Sequence, residues 1–162
     1  MVLHQERLGL ADRFPAIVAA AHRINASSFV LDGEAVIPRA DGMSDFNALR
    51  SQSRNHAVLL YAFDLLQHDG EDLRHVPLIQ RKQRLAALLG KTGHAIQLVE
   101  HLTHDGATVF EHACGMGLEG IVSKRVDAPY RGGPSKVWLK SKNPASEAVR
   151  REREEEWRKP RR

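Results

Sequence analysis

The sequence has little cysteine, few aromatic residues and no long apolar run. A single cysteine, Cys114, among 162 residues excludes an internal disulfide and indicates a reducing compartment. No apolar stretch approaches the roughly 20 residues that a membrane span needs, so we expect no membrane partner. No basic stretch followed by an apolar core stands at the N-terminus, so a secretory signal is not expected. These absences favour a cytoplasmic protein.

The charge excess is also small. The 24 Lys and Arg residues against 20 Asp and Glu residues give a net charge of +4, which does not by itself indicate nucleic-acid binding. The apolar content of 42% is too high for a disordered chain, and this length allows a substantial core. We expect one domain over residues 1–146 and a charged helix or tail over residues 147–162, where opposite charges recur at i,i+4 spacing.

Helix and strand signals are interleaved along the chain. Turn signals stand at Asp41-Gly42 and at residues 68–71. The mixture predicts an α+β fold, with antiparallel or mixed sheets flanked by helices. Apolar spacing predicts helices over residues 15–25, 45–51, 78–89 and 108–116, and strands over residues 28–38, 57–66, 96–99, 118–126 and 137–142.

Two segments could place carboxylates and aromatic rings on strand faces. On a strand, Asp32 and Glu34 share one face, and they either meet water at an edge or need a cation or metal as partner. Gly33 between them permits a close approach by another group. Tyr61 and Phe63 also share a face, where a ring either fills the core or stacks on a purine base.

Two further segments carry lysines on strands. Lys140 and Lys142 share a face, so the pair either meets an anion such as phosphate or guards an exposed strand edge. Lys124 ends a strand that begins near Glu119, and strict alternation puts these two residues on opposite faces. A bulge or strong twist near Gly120 would reconcile them.

In this order, the segments resemble the adenylation domain of ATP-dependent DNA ligases. These enzymes belong to the covalent nucleotidyltransferase superfamily, with RNA ligases and mRNA capping enzymes. Leu-Asp-Gly-Glu, Phe-Asp-Leu-Leu, Glu-Gly-Ile-Val-Ser-Lys-Arg and Trp-Leu-Lys-Ser-Lys-Asn are most similar to the bacterial ligases of non-homologous end joining. The segments Asp12–Pro15 and Tyr130–Gly133 fit the same subgroup. The resemblance covers roughly residues 12–143 and implies the nucleotidyltransferase fold.

The resemblance also implies roles for individual residues. The cofactors would be ATP (bound as AMP after reaction) and Mg²⁺ or Mn²⁺, and the partner would be nicked or broken double-stranded DNA in the bacterial cytoplasm, at the nucleoid. The reaction joins nicks through lysyl-AMP and DNA-adenylate intermediates. Glu34 would lie near the ribose or help to hold the metal, Phe63 would stack on adenine, and Glu119 would bind the metal. Lys140 and Lys142 would contact the α-phosphate, and Lys124 would act on the phosphate side.

The sequence departs from this family in one motif that matters for catalysis. The nucleophile motif Lys-x-Asp-Gly is absent, and none of the seven lysines precedes Glu34. We therefore expect an N-terminally incomplete adenylation domain without the following OB-fold domain, inactive in self-adenylation when isolated. Two alternatives stay open: a non-catalytic module that binds nucleotide or DNA phosphate, and one half of a split ligase whose partner chain supplies the missing motif or OB fold.

Other polar and aromatic residues receive simpler interpretations. His101, His104 and Asp105 are close in sequence, but no fourth ligand is evident and a zinc site is not expected. Cys114 is expected to be buried and inert. Trp138 and Trp157 are expected to be packing residues.

Overall fold

The structure, a computed structural model, describes residues 2–3, 13–40, 43–45, 48–49, 57–90, 95–133, 135–146 and 149–150. It divides into two compact units. Unit 1 comprises Met1–Glu100 and Val126–Arg131, and unit 2 comprises His101–Arg125 and Gly132–Arg162. The predicted α+β class with antiparallel and mixed sheets is confirmed.

The described residues of unit 1 form a mixed sheet of five strands. Its strands are β1 (Val2–Leu3), β2 (Phe29–Val36), β3 (Leu59–His68), β4 (Glu71–Asp72) and β5 (Ile96–Leu98). β1, β2, β3 and β4 are antiparallel neighbours in that order, and β5 pairs with β3 in parallel. The two long strands β2 and β3 correspond to the strands predicted over residues 28–38 and 57–66, whereas β1 was not predicted from the sequence.

Among the residues of unit 1 that the structure describes, the core lies between the sheet and two helices. The helices are α1 (Pro15–Ala21) and α2 (Leu78–Leu89), and the core includes Ile17, Leu31 and Leu60. The α2 bounds agree with the apolar spacing, and Gly90 ends the helix with a φ of 47°. α1 ends before the predicted Asn25, because i→i+3 hydrogen bonds from Arg23 and Ile24 tighten the chain after Ala21.

The turn between β3 and β4 follows the sequence signal. Asp69 and Gly70 both have positive φ, 46° and 85°, which is the geometry of a two-residue hairpin turn. The Asp69 carboxylate accepts hydrogen bonds from the amide and the hydroxyl of Ser27 at 2.7 and 2.9 Å. These hydrogen bonds hold the hairpin turn against the start of β2.

The N-terminus of α2 is capped by backbone from a distant part of the chain. Its N-cap, Pro77, makes no side-chain cap hydrogen bond. The first two helical amides, of Leu78 and Ile79, donate instead to the carbonyls of Ala128 and Val126 at 3.0 and 2.9 Å. These amides have no partner within the helix, so the segment Val126–Arg131 completes unit 1.

Unit 2 contains α3 (Gly106–Gly115) and a two-stranded antiparallel sheet of β6 (Gly120–Lys124) and β7 (Trp138–Lys142). α3 begins two residues before the predicted Thr108, because the Asp105 carboxylate accepts from the Thr108 amide at 3.0 Å and caps the helix. β6 is shorter than predicted, since Val126 belongs to unit 1.

Some expectations concern residues outside the described ranges. Of the predicted helix over 45–51, only residues 48–49 are seen as helical, and the Asp41-Gly42 turn and residues 151–162 lie outside the described residues. Across the residues that are described, no helix is long and apolar enough to cross a membrane. Cys114 is half-buried rather than buried, as Ala113 beside it takes the inward position on α3.

Candidate functional site

The two strands of unit 2 bring three lysines to one face. The ladder pairs Gly120 with Lys142, Val122 with Lys140, and Lys124 with Trp138. Since side chains alternate along each strand and directly paired residues share a face, Lys124 joins Lys140 and Lys142. Lys140 and Lys142 are exposed, Lys124 is half-buried, and neither strand contains an acidic residue. We call these three side chains the lysine face.

Glu119 lies immediately before the lysine face. Of the bulge or strong twist expected near Gly120, the bulge is absent from the ladder, because every residue from Gly120 to Lys124 is paired in regular register. Gly120 instead has a φ of 142°, and a Cβ there would overlap the carbonyl oxygen of Ser141. Glu119 precedes the ladder and is exposed, so strand alternation does not govern its side chain.

Asn143 closes the end of the two-stranded sheet. Its amide donates to the Glu119 carbonyl at 2.8 Å, and its side-chain amide donates to the Leu118 carbonyl at 2.9 Å. Its side-chain oxygen accepts from the Ala145 amide at 3.0 Å, and the residue is only 3% exposed. Asn143 therefore fixes the backbone around Glu119, a role that its position after Lys142 did not reveal.

In unit 1, Glu34 and Phe63 lie on the central strands. Glu34 is exposed and pairs with Tyr61 across β2 and β3. The pairs Asp32 with Asp64 and Gly33 with Ala62 leave Phe63 as the additional residue of a β-bulge. Tyr61 and Phe63 are half-buried, between the buried Leu60, Ala62 and Asp64, so the less buried face of β3 carries both rings.

The close approach expected at Gly33 is that of the neighbouring strand. A methyl group on Gly33 would lie 2.6 Å from the carbonyl oxygen of Tyr61. The two carboxylates that flank Gly33 have different surroundings. Asp32 is 8% exposed and accepts from the Tyr130 hydroxyl at 3.1 Å, whereas Glu34 is open to solvent. Of these two carboxylates, Glu34 is therefore the one that is accessible to a ligand.

A buried ion pair lies next to these strands. The Arg81 guanidinium donates to both carboxylate oxygens of Asp64 at 2.8 Å, and both side chains are fully buried. Arg81 also donates to the carbonyl of Val76, and to that of Ala128 at 3.4 Å. Its guanidinium carbon is 5.9 Å from the centroid of the Tyr130 ring. A polar network thus fastens α2, β3 and the segment Val126–Arg131 together.

This network changes the ionisation of Tyr130. Burial, followed by the charge and hydrogen bond of Asp32, raises the pKa of Tyr130 to about 12. No role was predicted for Arg81 or Tyr130 from the sequence. The available signal for Arg81 was its position, between Leu78 and Leu85 on the core side of α2.

The predicted site residues thus form two groups. Glu34 and Phe63 belong to unit 1, and Glu119 and the lysine face belong to unit 2. His101, His104 and Asp105 form no metal-binding group, and across the described part of the chain no cluster of three His, Cys, Asp or Glu side chains could hold a metal ion. Asp105 acts as the N-cap of α3.

Comparison with known proteins identifies close similarity to one family. The sequence profile described as "ATP dependent DNA ligase domain" matches residues 6–142. The chain is 36% identical over 135 residues to the multifunctional non-homologous end joining protein LigD of Pseudomonas aeruginosa. It is also 36% identical over 141 residues to a probable DNA ligase of Kineococcus radiotolerans. These alignments cover 81% and 80% of this chain, but 16% and 27% of the relatives.

Solved structures show the same similarity. Mycobacterial DNA ligase D complexed with ATP and MES superposes with a TM-score of 0.63 at 34% identity. The ligase domain of LigD from M. tuberculosis gives the same values. Each match covers 71% of this chain and 38% of the solved chain. The chain therefore spans well under half of these structures and about a sixth to a quarter of the curated relatives.

Proposed function

Because the chain belongs to the ATP-dependent DNA ligase family, of the type found in LigD, we propose that it binds ATP or AMP as part of an adenylation site. In this proposal Lys140 and Lys142 contact the α-phosphate, and Lys124 contributes on the phosphate side. Phe63 stacks on adenine, and Glu34 lies near the ribose or helps to hold the metal. The likeness to a ligase solved with ATP supports this choice of nucleotide.

The lysine face is the observation that carries the proposal. It places three cationic side chains on one face of two strands that contain no acidic residue. Like charges at neighbouring sheet positions repel and destabilise the sheet. An incoming phosphate offsets this repulsion, and fixed ammonium groups stabilise the negative charge that develops on phosphate oxygens during transfer.

We propose that exposed carboxylates of this chain contribute to binding of a metal ion that is shared with the nucleotide. Mg²⁺ commonly takes one or two carboxylates and completes its shell with phosphate oxygens and water. Glu119 and Glu34 are both exposed and could each supply one such ligand. When bound, Mg²⁺ or Mn²⁺ would offset charge on the phosphates, while the lysines of this chain orient the α-phosphate.

Self-adenylation is a separate step, and we propose that this chain does not perform it alone. The step forms a bond between a lysine nitrogen and the α-phosphorus and releases pyrophosphate. The first lysine in the sequence is Lys82, so no lysine stands upstream of Glu34 where the family's nucleophile motif lies. Incubation with ATP labelled in the α-phosphate should give no labelled band at 18.1 kDa on a denaturing gel, and such a band would disprove this part of the proposal.

Nucleotide binding is tested by calorimetry with ATP and Mg²⁺. Lys140→Ala should weaken binding at least about tenfold, since a charge-assisted contact to phosphate is lost. Lys136→Ala is the matched control, because Lys136 is exposed and lies outside both strands. We expect the control to bind within about twofold of the parent chain. Equal affinity for all three proteins would contradict the assignment of the lysine face.

A second candidate function is that of one half of a split ligase on nicked double-stranded DNA in the bacterial cytoplasm, at the nucleoid. It is suggested by the lysine face in a chain whose 162 residues contain no Lys-x-Asp-Gly segment. Mixing the chain with a polypeptide that carries Lys-x-Asp-Gly should then restore labelling by ATP and sealing of a nicked duplex. If the mixture stays inactive while the chain alone binds ATP, the non-catalytic binding module is the better description.

A further inference from the structure

Lys124 and Trp138 form a cross-strand pair within unit 2. They are directly opposite in the ladder, and the Lys124 Nζ lies 4.2 Å from the centroid of the Trp138 indole. This is well inside the distance of about 6 Å at which an ammonium is attracted to an aromatic face. Both side chains are half-buried, which strengthens such an attraction by limiting competition from water.

We infer that Trp138 is a positioning residue for Lys124, holding its ammonium on the lysine face for a phosphate group. The inference rests on the proposed function and assigns Trp138 a second role besides the packing expected from the sequence. The indole limits the positions that the flexible lysine side chain can take. Less side-chain entropy is therefore lost when Lys124 meets a ligand.

The neighbours of the pair explain why an aromatic partner suits this position. Lys140 is the diagonal neighbour of Lys124, about 7–8 Å away between backbone positions, and Lys142 follows it on the same face. Three ammonium groups in this arrangement repel one another. A carboxylate at position 138 would relieve the repulsion, but it would also repel phosphate. The indole attracts the ammonium through its ring quadrupole and leaves the net positive charge of the face unchanged.

This arrangement predicts graded effects of substitutions at position 138. Trp138→Phe keeps an aromatic ring, but this ring attracts a cation more weakly than indole does. Trp138→Leu keeps the apolar volume and loses the attraction. We expect Trp138→Leu to weaken binding of ATP with Mg²⁺ by about threefold to tenfold, and Trp138→Phe by less than about threefold. Lys124→Met should weaken binding at least as much as Trp138→Leu.

The test combines a double-mutant cycle with fluorescence. If Trp138 acts through Lys124, the double variant Lys124→Met with Trp138→Leu should bind ATP no more weakly than Lys124→Met alone. In a Trp157→Phe background, Trp138 is the only tryptophan. Titration with inorganic tripolyphosphate should then change its emission in a saturable manner, because the anion binds to the ammonium that the indole holds. The Lys124→Met variant should show no such change.

The outcomes separate this inference from the proposed function. If the parent chain binds neither ATP nor tripolyphosphate, the proposed function fails and this inference fails with it. If the parent chain binds but Trp138→Leu binds equally well, only the inference is overturned. Additive losses in the double variant, or loss of binding in Trp138→Phe equal to that in Trp138→Leu, would show that the indole serves packing alone.

Discussion

Unit 1 encloses charged groups in its interior, whereas unit 2 carries exposed charged groups on one face of a two-stranded sheet. In unit 1, Asp64 and Arg81 are fully buried and bonded to each other in bidentate fashion. In unit 2, Lys140 and Lys142 are exposed. A buried pair whose hydrogen bonds are satisfied stabilises the fold of unit 1, whereas the exposed lysines of unit 2 present positive charge to solvent, where an anion can reach it.

The two units also differ in how deeply their apolar side chains are buried. The cluster of buried apolar residues lies within unit 1. In unit 2, the large apolar side chains of Leu102, Met116 and Leu139 are 64–69% exposed. Burial of apolar side chains thus stabilises unit 1. Unit 2 depends more on backbone pairing and on side-chain hydrogen bonds such as those of Asn143. The following substitutions test this contrast.

The largest effect is expected from Arg81→Met. Removing the guanidinium leaves the Asp64 carboxylate buried without its ionic partner, so the free energy of unfolding should fall by about 3–5 kcal/mol. Urea denaturation measures this loss. Arg84→Met on the same helix is the control, because its pair with Glu71 is exposed and should contribute only about 0–1 kcal/mol.

A second variant separates the charge effect from lost packing. Replacing both partners, with Asp64→Leu and Arg81→Met, removes the unpaired charge and should recover part of the stability. If Arg81→Met costs no more than Arg84→Met, burial of charge is not what distinguishes unit 1.

Gly120→Ala should have the next largest effect, and the effect should be local to unit 2. A Cβ would overlap the Ser141 carbonyl and the φ of 142° disfavours any residue with a side chain, so we expect a loss of about 1–3 kcal/mol. Hydrogen exchange should show faster exchange in β6 and β7 and unchanged protection in β2 and β3.

The control for this prediction is Gly115→Ala at the end of α3. A Cβ there meets nothing within 4 Å, and we expect a change within about 1 kcal/mol. Exchange that also accelerates across β2 and β3 in Gly120→Ala would show that the two units unfold together.

Tyr130→Phe should have a smaller, pH-dependent effect on unit 1. Loss of the hydrogen bond to Asp32 should cost about 0.5–1.5 kcal/mol at neutral pH. The pKa of Tyr130 in the folded protein is about 12, above its usual value of 10.0. The contribution of the hydroxyl is therefore complete below pH 10 and is lost as the pH rises to about 12.

Urea denaturation at several pH values tests this. The stability difference between the parent chain and Tyr130→Phe should shrink between pH 10 and 12. Tyr61→Phe is the matched control, because it keeps the hydrogen bond between Tyr130 and Asp32. Its free energy of unfolding should fall between pH 10 and 12 as that of the parent chain does. A stability difference that stays constant up to pH 12 would contradict the proposed ionisation.

Asp72→Asn should have the smallest effect. Hydrogen bonds from Arg74 lower the pKa of Asp72 to about 2, but both side chains are more than half exposed and the pair is screened by solvent. The contribution is present above the ordinary pKa of 3.8 and is lost as the pH falls toward 2. At neutral pH the urea midpoint should not change measurably, and a large shift would show that exposed charges also support unit 1.

The sequence predicts elements with a strong periodic signal. The apolar spacing from Leu78 to Leu89 gave the bounds of α2, and the apolar run after Ala57 gave β3. The alternation of Lys140 and Lys142 correctly placed them on one face. These features depend on neighbours in sequence, and local patterns record them well.

Features that depend on distant residues were not predictable in the same way. The burial of Arg81 requires Asp64, and the pairing of Lys124 with Trp138 requires the register between β6 and β7. Charged residues are usually exposed, so composition argued against an inward Arg81. The roles proposed for Glu34, Phe63, Glu119 and the lysine face come from family resemblance and stay predictions.

The backbone cap of α2 has a consequence for synthesis of the protein on the ribosome. The Ala128 carbonyl, which accepts from the Leu78 amide and also from the Arg81 guanidinium, lies 47 residues after Arg81 in the chain. At a translation rate of roughly 5–20 residues per second, α2 waits about 2 to 9 seconds for this partner. Residues 101–125 of unit 2 are therefore synthesised before the segment Val126–Arg131 that completes unit 1. Folding of unit 1 thus ends only after synthesis of unit 2 has begun.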